Sequence, residues 1–223
     1  MCGRYTTSWS KAQFEKTFGV QPPLFEGDAF ESYNVAPTMQ APVVRGSGER
    51  EALFAKWGLL PKWVDKPLDF KANLFNARGE TVLEKASFKR PFRSQRCLVP
   101  VSGFYEWSGS AGSKQPHHIR LPSEDVMGLA GLWDYWSKDG REITSYTIIT
   151  TEANEQMRDI HHRMPVILPA ERFADWLEPD SKPEMLTHFL KPYEGELDIY
   201  AVDKRVGGVR NNDASLIEPL NSR

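Results

Sequence analysis

Apolar residues recur along this chain in short runs broken by Pro, Gly or small groups of polar residues. The runs RCLVPVSGFYEW (96–107), PHHIRL (116–121), VMGLAGLWDYW (126–136), ITSYTIITTEAN (143–154), MPVILP (164–169) and LDIYAV (197–202) are rich in β-branched and aromatic residues, and each predicts a strand. EALFAKWGLLPKW (51–63) reads as a strand entering a loop, and SYNVAPTMQAPVVR (32–45) as an extended, Pro-punctuated segment. Helical spacing is confined to short stretches. Ser10 is placed to cap KAQFEKTF, where Phe14 and Phe18 lie four apart and Gly19 is a natural stop. The segment from Asn76 is expected to turn helical near Thr81, Asn154 to cap a short helix EQMRDIH, and Pro169 to sit in the first turn of AERFADWL, with KPEMLTHFL (182–190) a further short helix. Strands and helices do not alternate regularly, which argues against a parallel doubly wound sheet. The pattern predicts one α+β domain over residues 1–223, with a mixed, mostly antiparallel, curved and barrel-like sheet and short flanking helices.

Composition narrows this picture. A chain of 223 residues with 40% hydrophobic and 26% charged residues is ordinary for a soluble globular protein and long enough to bury one good core. Without an apolar run of about 18 residues, a membrane span is not expected. The N-terminus lacks a basic segment leading into an apolar one, so no secretory signal is expected either. Two cysteines, Cys2 and Cys97, make no disulfide framework and favour a reducing cytoplasm. The net charge of −2 hides an uneven distribution. Lys85–Arg96 carries five basic residues and no acid, whereas Glu171–Asp198 carries eight acids against three bases. One side is thus expected to attract phosphates and another to repel them, unless the basic run is simply a solvated face.

The chemistry starts at MCGRY. Removal of Met1 would give Cys2 a free α-amine beside its thiol, a pair that no internal cysteine has. The amine, with an ordinary pKa of about 7.7–8.0, attacks aldehydes to give imines, and the neighbouring sulfur closes a five-membered thiazolidine. Taken alone, Cys2 reads equally as a free cysteine packed near the terminus. Glu106 sits between aromatics in GFYEW, where apolar surroundings would raise its pKa into a general acid/base range, or it faces solvent. His161, one of an adjacent pair, suits proton transfer or a structural role. Asn76 would orient a substrate or the Cys2 amine, or would be a turn residue. Arg4, Arg78 and Arg163 stand beside these positions and suit phosphate oxygens, while Trp63, Phe75, Tyr105 and Trp107 could stack on unpaired bases. The His-His pairs and scattered cysteines lack zinc spacings, and there is no phosphate-cradling Gly loop and no nucleophile elbow. No metal and no cofactor are therefore expected.

Together MCGRY, YNVAPT, NARGET, CLVPVSGFYEW and DIHHRMPVIL resemble the SOS response-associated peptidase (SRAP) family of abasic-site processing proteins, from residue 1 to about VRNND near residue 213. The resemblance implies a single-domain fold with a DNA groove and a covalent link between Cys2, after loss of Met1, and the opened sugar of an abasic site in single-stranded DNA. By motif match it implies catalytic roles for Cys2, Asn76, Glu106 and His161. It also implies phosphate contacts by Arg4, Arg78 and Arg163, and a DNA path along Asn34, Pro37 and Trp63, although the segment before NAR is longer here than in some members. In this reading His161 protonates the sugar ring oxygen and Glu106 shuttles protons during imine formation. Lyase activity appears if the ring fails to close, and self-processing of the N-terminus is the peptidase reaction. A cytoplasmic monomer that joins the nucleoid when acting on DNA is expected. Two rivals fit parts of the pattern: a glutaminase with an N-terminal Cys nucleophile, and a non-enzymatic module for single-stranded or modified DNA.

Overall fold

Strands dominate the chain, with helical turns between them. β1 (Arg4–Thr6) leads to α1 (Lys11–Phe18), the small hairpin β2 (Leu24–Phe25) and β3 (Asp28–Ala29), then β4 (Gln40–Arg45), β5 (Glu51–Trp57) and β6 (Asn76–Arg78). After α2 (Ala86–Ser94) come β7 (Arg96–Val101), β8 (Gly103–Ser108), β9 (Gln115–Arg120), β10 (Met127–Lys138) and β11 (Arg141–Glu152). The chain continues through β12 (Arg163–Pro165), β13 (Ile167–Leu168), α3 (Phe173–Leu177), α4 (Pro183–Leu186) and β14 (Asp198–Ala201). This computed structural model describes residues 2–220 apart from 27, 68, 69, 71, 111 and 124.

The larger sheet closes on itself. β11, β5, β4, β7 and β10 pair in that order, and β10 pairs back onto β11, making a five-stranded barrel. Within this sheet, pairing is antiparallel except where β11 runs parallel to β5 and β6, so the mixed, mostly antiparallel, barrel-like expectation holds. The β10–β11 hairpin turns at Asp139-Gly140, with φ of 51° and 72°, the pair of left-handed residues that a two-residue turn of matching twist requires.

The run at 96–107 is two strands, not one. At Ser102 the chain leaves β7 in the barrel and enters β8 in a second antiparallel sheet, ordered β1–β8–β9–β14. All six residues of β7 are buried. Val99 and Val101 join a cluster with Cys2 and with Tyr5, Phe104 and Ile119 of the second sheet. Leu98 faces the other way, into a cluster with Phe18, Phe92, Phe173 and Trp176 of the helices. Both faces of the strand are thus dry, which explains why its apolar run does not alternate.

The helices follow their local signals to different extents. Ser10 and Gln13 form a reciprocal capping box at α1, Gly19 ends the helix at φ 67°, and Phe14 and Phe18 are buried. The helix expected near Thr81 is a single 3₁₀ turn, Gly79–Thr81, and α2 begins only at Ala86. At 154–161 the Asn154 cap forms, its Oδ1 accepting from the Met157 N–H at 3.0 Å. The segment nonetheless stays a run of turns, too short to repay helix nucleation.

Arg96 departs from the basic face it was grouped with. It is buried, and its guanidinium donates to the carbonyls of Phe92 and Arg93 at the end of α2 and of Trp176 and Glu178 at the end of α3. One cation thereby satisfies the orphan carbonyls of two helix C-termini. Loss of hydration holds its pKa down at about 10.

Candidate active site

Four distant segments meet beside the edge of the second sheet. Arg4 lies opposite Tyr105 in the β1–β8 pairing, which carries the residues just before β1 alongside Glu106. Asn76 opens β6, and its pairing with Ile148 fixes that strand against β11. His161 ends the turns at 154–161, and one residue, His162, separates it from β12. The Asn76 Nδ2 donates to the Cys2 carbonyl at 2.8 Å. Glu106 Oε1 stands 3.9 Å from His161 Nε2. Cys2, Asn76, Glu106 and His161 are therefore brought together as expected. Met1 lies outside the described residues.

Burial sets the protonation states. Glu106 is buried on β8, and desolvation lifts its carboxyl from 4.5 to about 7, so near neutrality it can hold or release a proton. Cys2 is fully buried, and desolvation together with the nearby Glu106 charge pushes its thiol up to about 12. It stays a thiol until something takes its proton. Desolvation lowers His161 to about 4, so at neutral pH it is an imidazole with no spare proton. Its Nδ1 faces the Arg163 N–H at 2.9 Å and the Arg163 carbonyl at 3.2 Å. The shorter contact needs a lone pair on Nδ1 and leaves the ring proton on Nε2, facing Glu106. His162 stacks on the His161 ring, with centroids 4.4 Å apart.

The residues assigned to DNA take different positions. Trp63 is 62% exposed and rests edge-on against Phe70. Arg78 is exposed at the end of β6, and Pro37 is half-buried. Arg4 is partly buried, donating to Asn34 Oδ1 and to the carbonyls of Val206 and Gly207. Asn34 is 1% exposed. Its side-chain amide donates to the carbonyls of Val206, Gly208 and Asn211, so it ties the C-terminal segment to the segment beside β1. Arg163 is buried too, and its guanidinium grips Glu80 through two bonds of 2.6 and 2.9 Å. Of the aromatics, Tyr105 is fully buried with its hydroxyl on the Tyr33 carbonyl and cannot stack on a base, whereas Phe75 and Trp107 are half-buried.

Three groups at the site carried no local signal. Glu80 is one. The hydrogen-bonded hydroxyls of Tyr5 and Tyr146 are another, fully buried within the cluster that contains Cys2. The third is Lys114, whose charge lowers the pKa of both Glu106 and His161. A hollow of about 500 Å³ borders the site through Phe75, the neighbour of Asn76, and Pro37. Among the described residues Lys56 and Arg141 line it and no carboxylate does. Among the described residues no three His, Cys, Asp or Glu side chains gather in a way that could hold a metal ion, and no helix is long and apolar enough to cross a membrane.

The chain as a whole is similar to known proteins. An abasic site processing protein of Bacillus subtilis, YoqW, is 38% identical over 98% of this chain and 99% of its own length. The abasic site processing protein HMCES of Gallus gallus is 32% identical over 99% of this chain and 78% of its own. A crystal structure of a protein from Bacteroides thetaiotaomicron superposes with a TM-score of 0.88 at 29% identity, covering 98% of this chain and all of that one. The family model for SOS response associated peptidases matches residues 1–209, and the chain belongs to that family.

Proposed function

We propose that this protein processes abasic sites in single-stranded DNA by capturing the opened sugar on Cys2. The observation that carries the reading is the convergence on Cys2 of an amide that holds its backbone, Asn76, and a carboxyl poised near neutrality, Glu106. The names of the relatives, all abasic site processing proteins, point the same way.

The protonation states order the steps. With the thiol held near 12, the α-amine freed by loss of Met1 is the first nucleophile, since its ordinary pKa is about 7.7–8.0. It adds to the C1′ aldehyde, and water leaves to give an iminium. Glu106 supplies a proton to the departing oxygen, and its carboxylate then accepts the proton of the Cys2 thiol. Sulfur adds to the iminium carbon and closes the thiazolidine. One amine hydrogen and the thiol hydrogen leave as part of a single water, and no oxidant is needed. The neutral His161 donates a hydrogen bond from Nε2 to the sugar oxygen rather than a proton, as a fixed imidazole does when its pKa is held low. Closure matters because an open iminium loses a proton at C2′ and expels the 3′ phosphate, which cuts the strand. Lyase activity is the consequence of failed closure, and autolytic loss of Met1 would be the peptidase step. Trp63, Arg78 and the basic hollow beside Phe75 offer a stacking face and cations for the flanking strand, with the protein acting as a monomer.

The test mixes the mature protein with an oligonucleotide carrying one abasic site. A heat-stable adduct is expected on a denaturing gel, with a mass equal to protein plus DNA minus one water. Cys2→Ala should form none. An equal yield of the same adduct from Cys2→Ala would overturn the assignment.

A further inference from the structure

Glu80 has no part in the proposed mechanism, yet it is bonded to the site's framework. It stands in the 3₁₀ turn that directly follows β6, the strand bearing Asn76 and Arg78. Its carboxylate takes both outer nitrogens of Arg163, at 2.6 and 2.9 Å. The second of those nitrogens also donates to the Thr150 carbonyl at 2.7 Å and lies 3.3 Å from the Thr150 hydroxyl. β6 pairs with β11 at Ile148–Thr150, and β12 pairs with it at Thr150–Glu152. The ion pair therefore straddles the end of β11 and ties the segment that carries Asn76 to the segment that carries His161. Arg163 is 8% exposed, and bidentate geometry of this kind fixes a guanidinium in orientation as well as in place. A fixed Arg163 holds its own backbone, and its N–H is the group that meets His161 Nδ1.

We propose that Glu80 is a positioning residue. By clamping Arg163 it presents the Arg163 N–H to His161 Nδ1, and so keeps the imidazole in the tautomer whose Nε2–H faces Glu106. Arg163 serves the reaction from inside the protein, as the strut between Glu80 and His161. The neutral ring uses the Arg163 N–H, whereas an imidazolium must turn the same nitrogen into a donor and use the Arg163 carbonyl instead. Holding the N–H in place therefore keeps the lone pair on Nδ1 and the ring proton on Nε2. The groups that face His161 are Glu106, His162 and Arg163, and the positive charges of the chain's amino terminus and of Lys114 also act on it. Glu80 touches none of them except Arg163, so its effect must pass through that residue.

This inference rests on the abasic-site reading only for its kinetic half, and the experiment separates the two. Nitrogen-15 labelled histidine reports the tautomer of His161 in the free protein, with no DNA present. The wild type should show a single neutral form protonated on Nε2 at pH 7. Glu80→Ala should show both tautomers exchanging, and a His161 titration displaced from that of the wild type. Glu80→Gln, which keeps one hydrogen bond to Arg163, should restore most of the Nε2 form. The acid limb of the adduct-forming rate should move with the titration in each variant, and thermal melts establish that each variant is folded. A wild-type ring protonated on Nδ1 overturns the proposal. So does a Glu80→Ala protein with unchanged tautomer and pH profile and a uniformly lower rate. If the wild type forms no adduct at all, the abasic-site reading fails, while the tautomer result still decides the role of Glu80.

Discussion

Replacing Glu106 by Gln should make the protein more stable at pH 8 and leave it unchanged at pH 4. The carboxyl is buried, and desolvation raises its pKa from 4.5 to about 7. A group whose folded pKa is raised contributes stability that is fully present below the unfolded value and is lost as pH rises through the folded one. Below pH 4.5 the acid is protonated in both states. Between 4.5 and 7 the unfolded chain releases this proton and the folded chain does not, so folding becomes less favourable with each unit. At about 1.4 kcal/mol per unit, the interval from 4.5 to about 7 removes about 3 kcal/mol from the wild type. Glutamine keeps the shape and does not titrate. For a chain of 223 residues the gain at pH 8 corresponds to about 6–12 °C in Tm.

The assay is urea unfolding of both proteins at unit steps from pH 4 to pH 8. The stability difference should be near zero at pH 4, open with a slope of about 1.4 kcal/mol per unit from pH 4.5, and flatten above pH 7. The same variant should lose adduct formation, since an amide cannot take the Cys2 proton. A difference that is constant with pH, or one that widens toward acid, would show that the carboxyl is not held neutral by burial, and the proton-transfer role given to Glu106 would fall with it.

Other side chains give further tests. Asn76→Ala removes the hydrogen bond to the Cys2 carbonyl and should slow adduct formation by about tenfold, the worth of one well-placed bond, measured under single-turnover conditions. Arg96→Ala strips one cation from the ends of two helices and should lower unfolding free energy by about 3 kcal/mol in urea, with capture chemistry intact in the folded fraction. Trp63→Ala should weaken binding to an unreactive single strand by about 1–3 kcal/mol. Because that side chain is mostly exposed, its melting curve should not move.

How far the sequence could be read depended on the distance over which each feature is decided. α1 is decided within ten residues: the cap, the Phe14–Phe18 pair and the Gly19 stop each act on near neighbours, and all three are present. The site motifs were legible for the same reason, since each keeps its reactive residue in a short, recognisable setting. The break at Ser102 was not legible. The Ser102-Gly103 step interrupts the apolar run and permits a turn, but the change of sheet is decided by the distant strands β10 and β1 that pair with β7 and β8. Arg96 was misread as part of a basic face because its acceptors on Trp176 and Glu178 lie about 80 positions away. Glu80 was missed because Arg163, 83 positions on, is what gives it a role.

The two ionisable partners at the site show where local reading stops. Aromatic neighbours predicted a raised Glu106, and burial does raise it. The same burial lowers His161, so in the proposed mechanism His161 gives the sugar oxygen a hydrogen bond and not a proton, and the proton transfers are assigned to the carboxyl. Low polarity disfavours whichever form is charged. A dry site therefore drives a carboxyl and an imidazole toward neutrality together, and assigning their roles separately from residue type misses that coupling. What makes the site dry is the second sheet, which packs Tyr5, Phe104 and Ile119 against the barrel in one cluster with Cys2. The change in the role proposed for His161 thus follows from how two sheets meet, a property of the whole fold that none of the five motifs contains alone.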